Sequence, residues 1–247
     1  FAVLVLALGI GSSVATFTVA NGWLLKPHPA LGAPDQLVIV ARVDDGARPL
    51  GWSHLGFLEL RNRARSFTGL AASRYWTATW NHSSGTRELP GQLVTEGYFS
   101  LLGVHLERGR DFAPEENRTP GSHPVAIVSA GLWDRLAADP AFSDRPTIRL
   151  HGQPFMVIGV APPSFRGLDL TDAVDVWIPL AMEGVTGTPF PVWQDDFFDD
   201  VLTVVGRMAP GVGVEEASTE LGALSSPRLR RAYPAGAQHL APRASAR

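Results

Sequence analysis

The chain contains no cysteine among its 247 residues. It can therefore form no disulfide, no thiolate metal site and no cysteine nucleophile. The phosphate-binding pattern G-x-x-x-x-G-K-[ST] is also missing, so the sequence has no P-loop for ATP. The seven histidines are spread singly, without an H-E-x-x-H pair, which argues against zinc. From these absences we expect neither a cofactor nor a metal site.

Signals for catalysis are equally scarce. Ser129, in the run IVSAG, lacks the first glycine of the G-x-S-x-G nucleophile elbow. Its place between a predicted strand and a predicted helix is the place of a helix N-cap, and we expect that role. A secreted serine hydrolase is the enzyme alternative. We expect no catalytic residue and no enzyme activity.

A cluster of four acids, Asp195, Asp196, Asp199 and Asp200, could offer oxygen ligands to calcium. It lacks the D-x-[DN]-x-[DN]-G pattern of a calcium loop. We expect a solvated acidic loop, or alternatively a contact for a basic partner protein.

The first 25 residues, Phe1 to Leu25, carry no charged side chain before Lys26. This length exceeds the ~20 apolar residues that a helix needs to cross a bilayer. We predict a transmembrane helix over residues 1–26, truncated at its start because Phe replaces Met and no basic flank precedes it. A cleaved signal peptide and a buried core helix are the alternatives.

Charge is distributed unevenly. The net charge is -3, and the tail from Ser225 to Arg247 contains five arginines and no acid, which leaves -8 for residues 1–224. An acidic body argues against nucleic acid as a partner, because phosphate binding requires a basic surface. We expect residues 234–247 to form a linker or a disordered tail.

The middle of the chain alternates between β-branched runs and amphipathic stretches, which predicts a mixed α+β fold. One helix over His54–Arg65 is predicted to begin at a Ser53 cap, with Leu55 and Leu58 inward and Phe57 as a further inward candidate. Two more follow Ser129 and Pro210-Gly211. His151-Gly152 predicts a hairpin turn in which glycine supplies the positive φ. The predicted strands are Leu37–Val43, Tyr75–Trp80, Glu88–Thr95, Val125–Val128, Thr147–Leu150, Phe155–Val160, Val174–Leu180 and Val201–Val205.

Several phrases occur together in a familiar order: EGYFSLLGV followed by ERGRDF, then VAIVSAGLW, IRLHGQPFMVIGVAPPSF and LTVVGRMAPGVGVEEASTEL. In this order they resemble the periplasmic core domain of MacB-type ABC transporter permeases, a MacB/FtsX-like family. The nearest resemblance is to the duplicated permease group of acidobacteria.

The resemblance implies an N-terminal transmembrane helix followed by a porter-like α+β layer with an inserted β-rich subdomain. The extracytoplasmic core would cover residues 27–233, with the porter-like layer at 34–97 and 190–233 and the insert at 98–182. Nine residues would keep the fold rather than bind a ligand: Tyr98, Phe99, Gly103, Gly109, Arg110, Phe112, Trp133, Gly159 and Val160.

The resemblance also implies a non-catalytic role, in which ATP hydrolysis elsewhere is coupled to export or force transmission across a bacterial inner membrane. Most of the chain would be periplasmic. Its partners would be an ATP-binding cassette subunit or domain, a second permease copy in a dimer, the membrane and a periplasmic protein, but no nucleic acid. The alternative is a membrane-tethered extracytoplasmic binding or assembly protein with a single helix.

Overall fold

The computed structural model describes residues 30–43, 49–82, 85–138, 146–169, 173–186, 201–224 and 238–242. These residues form a mixed α+β fold with one large sheet, which confirms the predicted class. The predicted transmembrane helix and the cluster Asp195–Asp200 lie outside the described residues. No helix within the described ranges is long and apolar enough to cross a membrane.

Eleven strands and four α-helices are found in this part of the chain. The strands are β1 Leu37–Val43, β2 Pro49–Leu50, β3 Phe67–His82, β4 Gly85–Val94, β5 Arg108–Gly109, β6 Val125–Ser129, β7 Thr147–Leu150, β8 Gln153–Ala161, β9 Val176–Pro179, β10 Thr203–Met208 and β11 Gln238–Pro242. The helices are α1 His54–Arg63, α2 Tyr98–Leu102, α3 Ala130–Ala137 and α4 Val214–Leu224.

All the strands belong to one sheet, with the order β11-β1-β10-β3-β4-β9-β6-β8-β5. Strand β2 pairs with β1, and β7 bridges β3 and β8. The long β3–β4 hairpin stands at the centre, and β4 continues the sheet by parallel pairing with β9. Strands from residues 34–97 and strands from residues 98–182 thus share one sheet, and the subdomain boundaries stay a prediction.

Neighbouring residues of each strand face opposite sides of this sheet, so the molecule has two apolar clusters. In β1, Leu37 joins one cluster and Val38 the other, and in β9 Trp177 and Val176 divide in the same way. The first-face cluster contains Val38 and Val176 and is covered by helices α1, α3 and α4, while the second-face cluster contains Leu37 and Trp177 and is covered by α2. Because both faces are covered, the inner strands are continuous apolar runs in the sequence.

A buried ion pair ties the centre of the sheet to the turn after β9. Arg74 of β3 donates to Glu183, which lies in the 3₁₀ turn Leu180–Val185 and has no exposed side-chain surface. A buried carboxylate left without its cation is strongly destabilising. The pair therefore fixes how the turn sits against β3.

Most predicted strands are confirmed, with ends that shift by a few residues. Pro90 lies within the predicted strand Glu88–Thr95, and proline is confined to edges or bulges of sheets. It pairs with Thr77 of β3 one residue before the pairing of β4 with β9 begins at Gly91. Within the predicted tail 234–247, Gln238–Pro242 pairs with β1 and is a strand rather than a linker.

The hairpin turn between β7 and β8 is confirmed, but it uses two left-handed residues. His151 has φ 49° and Gly152 has φ 78°, as a type I′ turn requires at both central positions. The His151 ring accepts a hydrogen bond at 3.1 Å from the backbone N–H of Thr79, which helps to hold its unusual left-handed conformation. The Asn81 side chain accepts a hydrogen bond from the Gly152 N–H. The turn is thus fastened to β3.

Helix α1 begins at the predicted cap, where the Ser53 hydroxyl accepts the Gly56 N–H. The predicted inward position of Leu55 is wrong, since this residue is 46% exposed, whereas Phe57 and Leu60 are buried. The buried stripe begins at His54, which is only 6% exposed. A polar residue on the inner face shifted the apparent apolar stripe.

Burial, together with the smaller effect of the Arg61 charge, lowers the pKa of His54 to about 4. The native ring stays neutral while the unfolded chain takes up a proton near pH 6.5, so stability is lost as pH falls from 6.5 towards 4. We predict that the free energy of unfolding drops by about 2 kcal/mol between pH 7 and 5.

Urea denaturation at the two pH values, followed by tryptophan fluorescence, measures this drop. It should largely vanish in His54→Gln and persist in His105→Gln, whose side chain is exposed. An undiminished drop in His54→Gln would refute the assignment.

Candidate functional site

The first described segment after the predicted membrane helix is held against the domain at several points. We call residues 30–36 the neck. Its Leu31 is buried in the second-face cluster, and Ala33 takes a left-handed conformation, with φ 43°, before the 3₁₀ turn Pro34–Gln36. The neck leads directly into β1 at Leu37.

The guanidinium of Arg207 joins the neck to the sheet and to α2. Its Nη2 donates to Gly32 O at 2.7 Å, its Nη1 to Ala33 O at 3.2 Å and to the Gln36 side chain at 3.3 Å, and its Nε to Leu101 O at 2.9 Å. One side chain thus fastens three neck residues and one helix. We call this arrangement the neck clamp.

Arg207 lies on a central strand of its half of the sheet. In β10 it is paired with Leu37 of β1 and with Gly69 of β3. The residue that holds the neck thus belongs to a strand paired on both sides.

The charge of Arg207 is retained in this position. Burial lowers the pKa of the guanidinium from its ordinary value, while the nearby Asp35 carboxylate acts in the opposite direction. An arginine stays protonated under such a shift. Hydrogen bonds from a charged donor are stronger than neutral ones. The four hydrogen bonds of this one side chain therefore hold the neck firmly.

Two glycines allow the neck to approach α2 closely. The Gly32 N–H donates to Leu102 O at 3.0 Å, and a Cβ placed on Gly103 would lie 2.7 Å from the Cα of Gly32. Gly103 also ends α2 in a left-handed conformation, with φ 69°. Gly103 is thus required both for the helix end and for the contact with the neck.

The nine residues expected to keep the fold are mostly buried or tightly paired. Tyr98, Phe99 and Phe112 lie in the second-face cluster beside the neck. Gly109 pairs with Gly159 at the edge of the sheet, where a Cβ on Gly109 would lie 1.9 Å from a backbone oxygen. Val160 is buried in the first-face cluster, and the half-buried Trp133 packs against it.

Arg110 makes a two-pronged pair with Glu116. Its two terminal nitrogens lie 3.0 Å and 2.6 Å from the carboxylate oxygens, and the Ala113 N–H also donates to this group. Burial alone would raise the pKa of Glu116, but these hydrogen bonds outweigh it and hold the pKa below its usual value. Arg110 of the motif ERGRDF is therefore held in a structural ion pair.

Ser129 is a helix cap, as predicted. Its hydroxyl oxygen accepts the Leu132 N–H at 3.1 Å, and the hydroxyl donates to Asp175 Oδ1 at 2.9 Å. The hydroxyl thus both caps α3 and ties the start of this helix to Asp175.

Arg207 was missed in the sequence, although one signal was present. In the run VLTVVGRM, Val205 faces the second cluster and Arg207 shares its parity two residues later. An arginine at an inward position of a buried strand must find acceptors. Three of its four described acceptors lie in the neck, more than 170 residues earlier, so only the fold brings them together.

Comparison with known families matches residues 1–224 to the family described as MacB-like periplasmic core domain. A comparison with curated protein sequences finds no match.

Three solved structures have the same fold at low sequence identity. A domain of a putative permease protein from Porphyromonas gingivalis is 15% identical, with a TM-score of 0.61, over 86% of this chain and 92% of that one. The periplasmic region of MacB from Actinobacillus actinomycetemcomitans is 12% identical, with a TM-score of 0.59, over 88% and 92%. The extracellular domain of the noncanonic ABC-type transporter YknZ from Gram-positive bacteria is 16% identical, with a TM-score of 0.59, over 83% and 99%.

The close approach of Gly103 to the neck can be tested against a matched glycine. Gly103 and Gly121 have nearly the same φ, 69° and 70°, but nothing lies within 4 Å of a Cβ placed on Gly121. We predict that Gly103→Ala lowers the free energy of unfolding by about 2 kcal/mol more than Gly121→Ala, because only the former also displaces the neck. Equal losses in urea denaturation would show that the contact contributes nothing beyond the backbone conformation.

Proposed function

The chain belongs to the family of MacB-like periplasmic core domains, and from this membership we propose that it transmits force for an ABC transporter permease. In this role it is the periplasmic domain that moves when ATP is hydrolysed by a separate ATP-binding cassette subunit or domain. The movement serves export or mechanical signalling across the membrane, and the domain performs no chemistry itself.

The neck clamp is the observation that supports this role best. A transmitting domain needs a stiff connection between its membrane segment and its body. Here the first described residues after the predicted helix are hydrogen-bonded to α2 and to β10 through Arg207. A flexible linker of polar and glycine residues would instead absorb the displacement.

The central hairpin supplies a long arm for such a movement. Gly69 of β3 pairs with Arg207 at the clamp, and Thr79 of the same strand pairs with Glu88 of β4. Ten residues of strand at ~3.3 Å each place these points about 30 Å apart. A small rotation at the neck becomes a displacement of several ångströms at the far end.

The proposed location is a bacterial inner membrane, with the domain on its periplasmic side. This location follows from the family and from the apolar stretch Phe1 to Leu25, which is long enough to span a bilayer. A second permease copy and a periplasmic protein are further proposed partners.

Energy transfer between the domain and the membrane tests the proposal. Since the chain has no cysteine, a Glu88→Cys variant carries a single donor dye at the exposed far part of β4. The complete permease and its ATPase are reconstituted into vesicles with acceptor dyes on the lipid headgroups. We predict that ATP changes the transfer efficiency, and that an ATPase unable to hydrolyse ATP abolishes the cycle of change.

The neck clamp is tested in the same vesicles with Arg207→Met. We expect at most about half of the wild-type change in transfer efficiency while ATP hydrolysis continues, because the charged hydrogen bonds are lost. A wild-type domain that does not respond to ATP would contradict the proposed function. An unaltered response in Arg207→Met would contradict only the role of the clamp.

A further inference from the structure

A concave pocket of about 310 Å³ lies at the beginning of α3, on a part of the molecule that the neck clamp does not involve. It is lined by Ser129 and the first residues of α3 and by Pro162, Pro163 and Phe165, which we call the apolar wall. Arg135, Arg166 and Asp175 also line it, and we call them the charged wall. The pocket thus combines an apolar wall with a charged one.

The charged wall is organised around Asp175, whose side chain is only 12% exposed. Its Oδ2 accepts from Arg135 at 3.1 Å, and its Oδ1 accepts from Arg166 at 3.2 Å and from the Ser129 hydroxyl. The backbone of Asp175 is held as well, since its N–H donates to Pro90 O and its carbonyl accepts from the Ser129 N–H. This fixed carboxylate positions both guanidinium groups.

The two arginines have donor capacity to spare. A guanidinium carries five N–H donors, and within the described part of the chain each of these two uses one hydrogen bond, to Asp175. Arg135 also lies over the Trp80 ring, at 6.0 Å, which holds its orientation. Their side chains are 43% and 55% exposed, so the remaining donors are reachable from solvent.

The charges do not cancel. Among the described residues that line the pocket, two guanidinium groups and one carboxylate leave one net positive charge. The pocket therefore has the electrostatic character that attracts an anion, and its arginines have the fork geometry that recognises planar oxyanions.

We propose that this pocket binds a carboxylate carried by a partner polypeptide. One carboxylate matches the single net charge, whereas a phosphate dianion would exceed it. The apolar wall of Pro162, Pro163 and Phe165 accommodates the aliphatic stem or the adjoining backbone of the acidic residue. The volume is at the lower end of ligand pockets and fits one or two residues rather than an extended chain.

A titration of the full-length permease in detergent micelles tests this proposal. The probe is the peptide acetyl-Gly-Gly-Glu-amide, and its glutamine analogue is the neutral control. Binding is followed by the side-chain Nε–H NMR signals of Arg135 and Arg166. We expect saturable shifts of both signals with the glutamate peptide and at least about tenfold weaker binding of the glutamine analogue, since a charged hydrogen bond is lost.

Substitutions locate the binding. Arg135→Gln and Arg166→Gln should each weaken it at least about tenfold, and each leaves Asp175 one arginine and Ser129, so the fold is retained. Arg118→Gln is the matched control, because this exposed arginine precedes β6 while the pocket lies at its end. Arg118→Gln should bind like wild type.

Three outcomes would overturn the proposal. Equal binding of the two peptides would show that the carboxylate is not recognised. Equal weakening by Arg118→Gln would show that only the general surface charge matters. Tighter binding of inorganic phosphate than of the glutamate peptide would assign the pocket to phosphate groups. Each outcome is independent of the neck clamp, so the proposed force transmission would stand.

Discussion

The hydrogen bonds of the Arg207 guanidinium are the constraint on which the arrangement of the domain depends. They connect the neck, α2 and β10 at one point, where the second-face cluster also gathers Leu31 and the aromatic residues of α2. Without them, the carbonyls of Gly32 and Ala33 and the buried end of α2 would need other donors. The glycine contact between neck and helix, the left-handed Ala33 and the register of β1 against β10 are all consistent with this one joint.

Much of the local structure could be predicted from the sequence, because it depends on neighbouring residues. The caps at Ser53 and Ser129 and the turn at His151-Gly152 are each set within a few residues and are confirmed. The predictions that were wrong or incomplete concern elements in which a polar residue faces the core. His54 displaced the apparent stripe of α1, so that Leu55 was placed inside. Arg207 interrupted a buried strand, and its partners lie on a distant segment that no local pattern identifies.

The buried and half-buried ion pairs could not be predicted either, because their partners are not neighbours in the sequence. Arg74 with Glu183, and Asp175 with Arg135 and Arg166, join residues 109, 40 and 9 positions apart. Such pairs become visible only when the single sheet brings β3, β9 and α3 together. In this domain the apolar periodicity places helices and strands in layers, whereas the buried charged groups fix the contacts between particular elements. Among these charged groups, the neck clamp contacts the residues nearest in sequence to the predicted membrane helix.

Native-state hydrogen exchange of the Gly32 amide, which donates to Leu102 O, measures how firmly the neck is held. In the complete permease, we predict that Arg207→Met accelerates this exchange about 100-fold, as expected for losing one or two charged hydrogen bonds. Arg118→Met, which alters an exposed arginine outside the clamp, should leave the rate unchanged. An unchanged Gly32 rate in Arg207→Met would show that the neck is held by other contacts and would contradict the account.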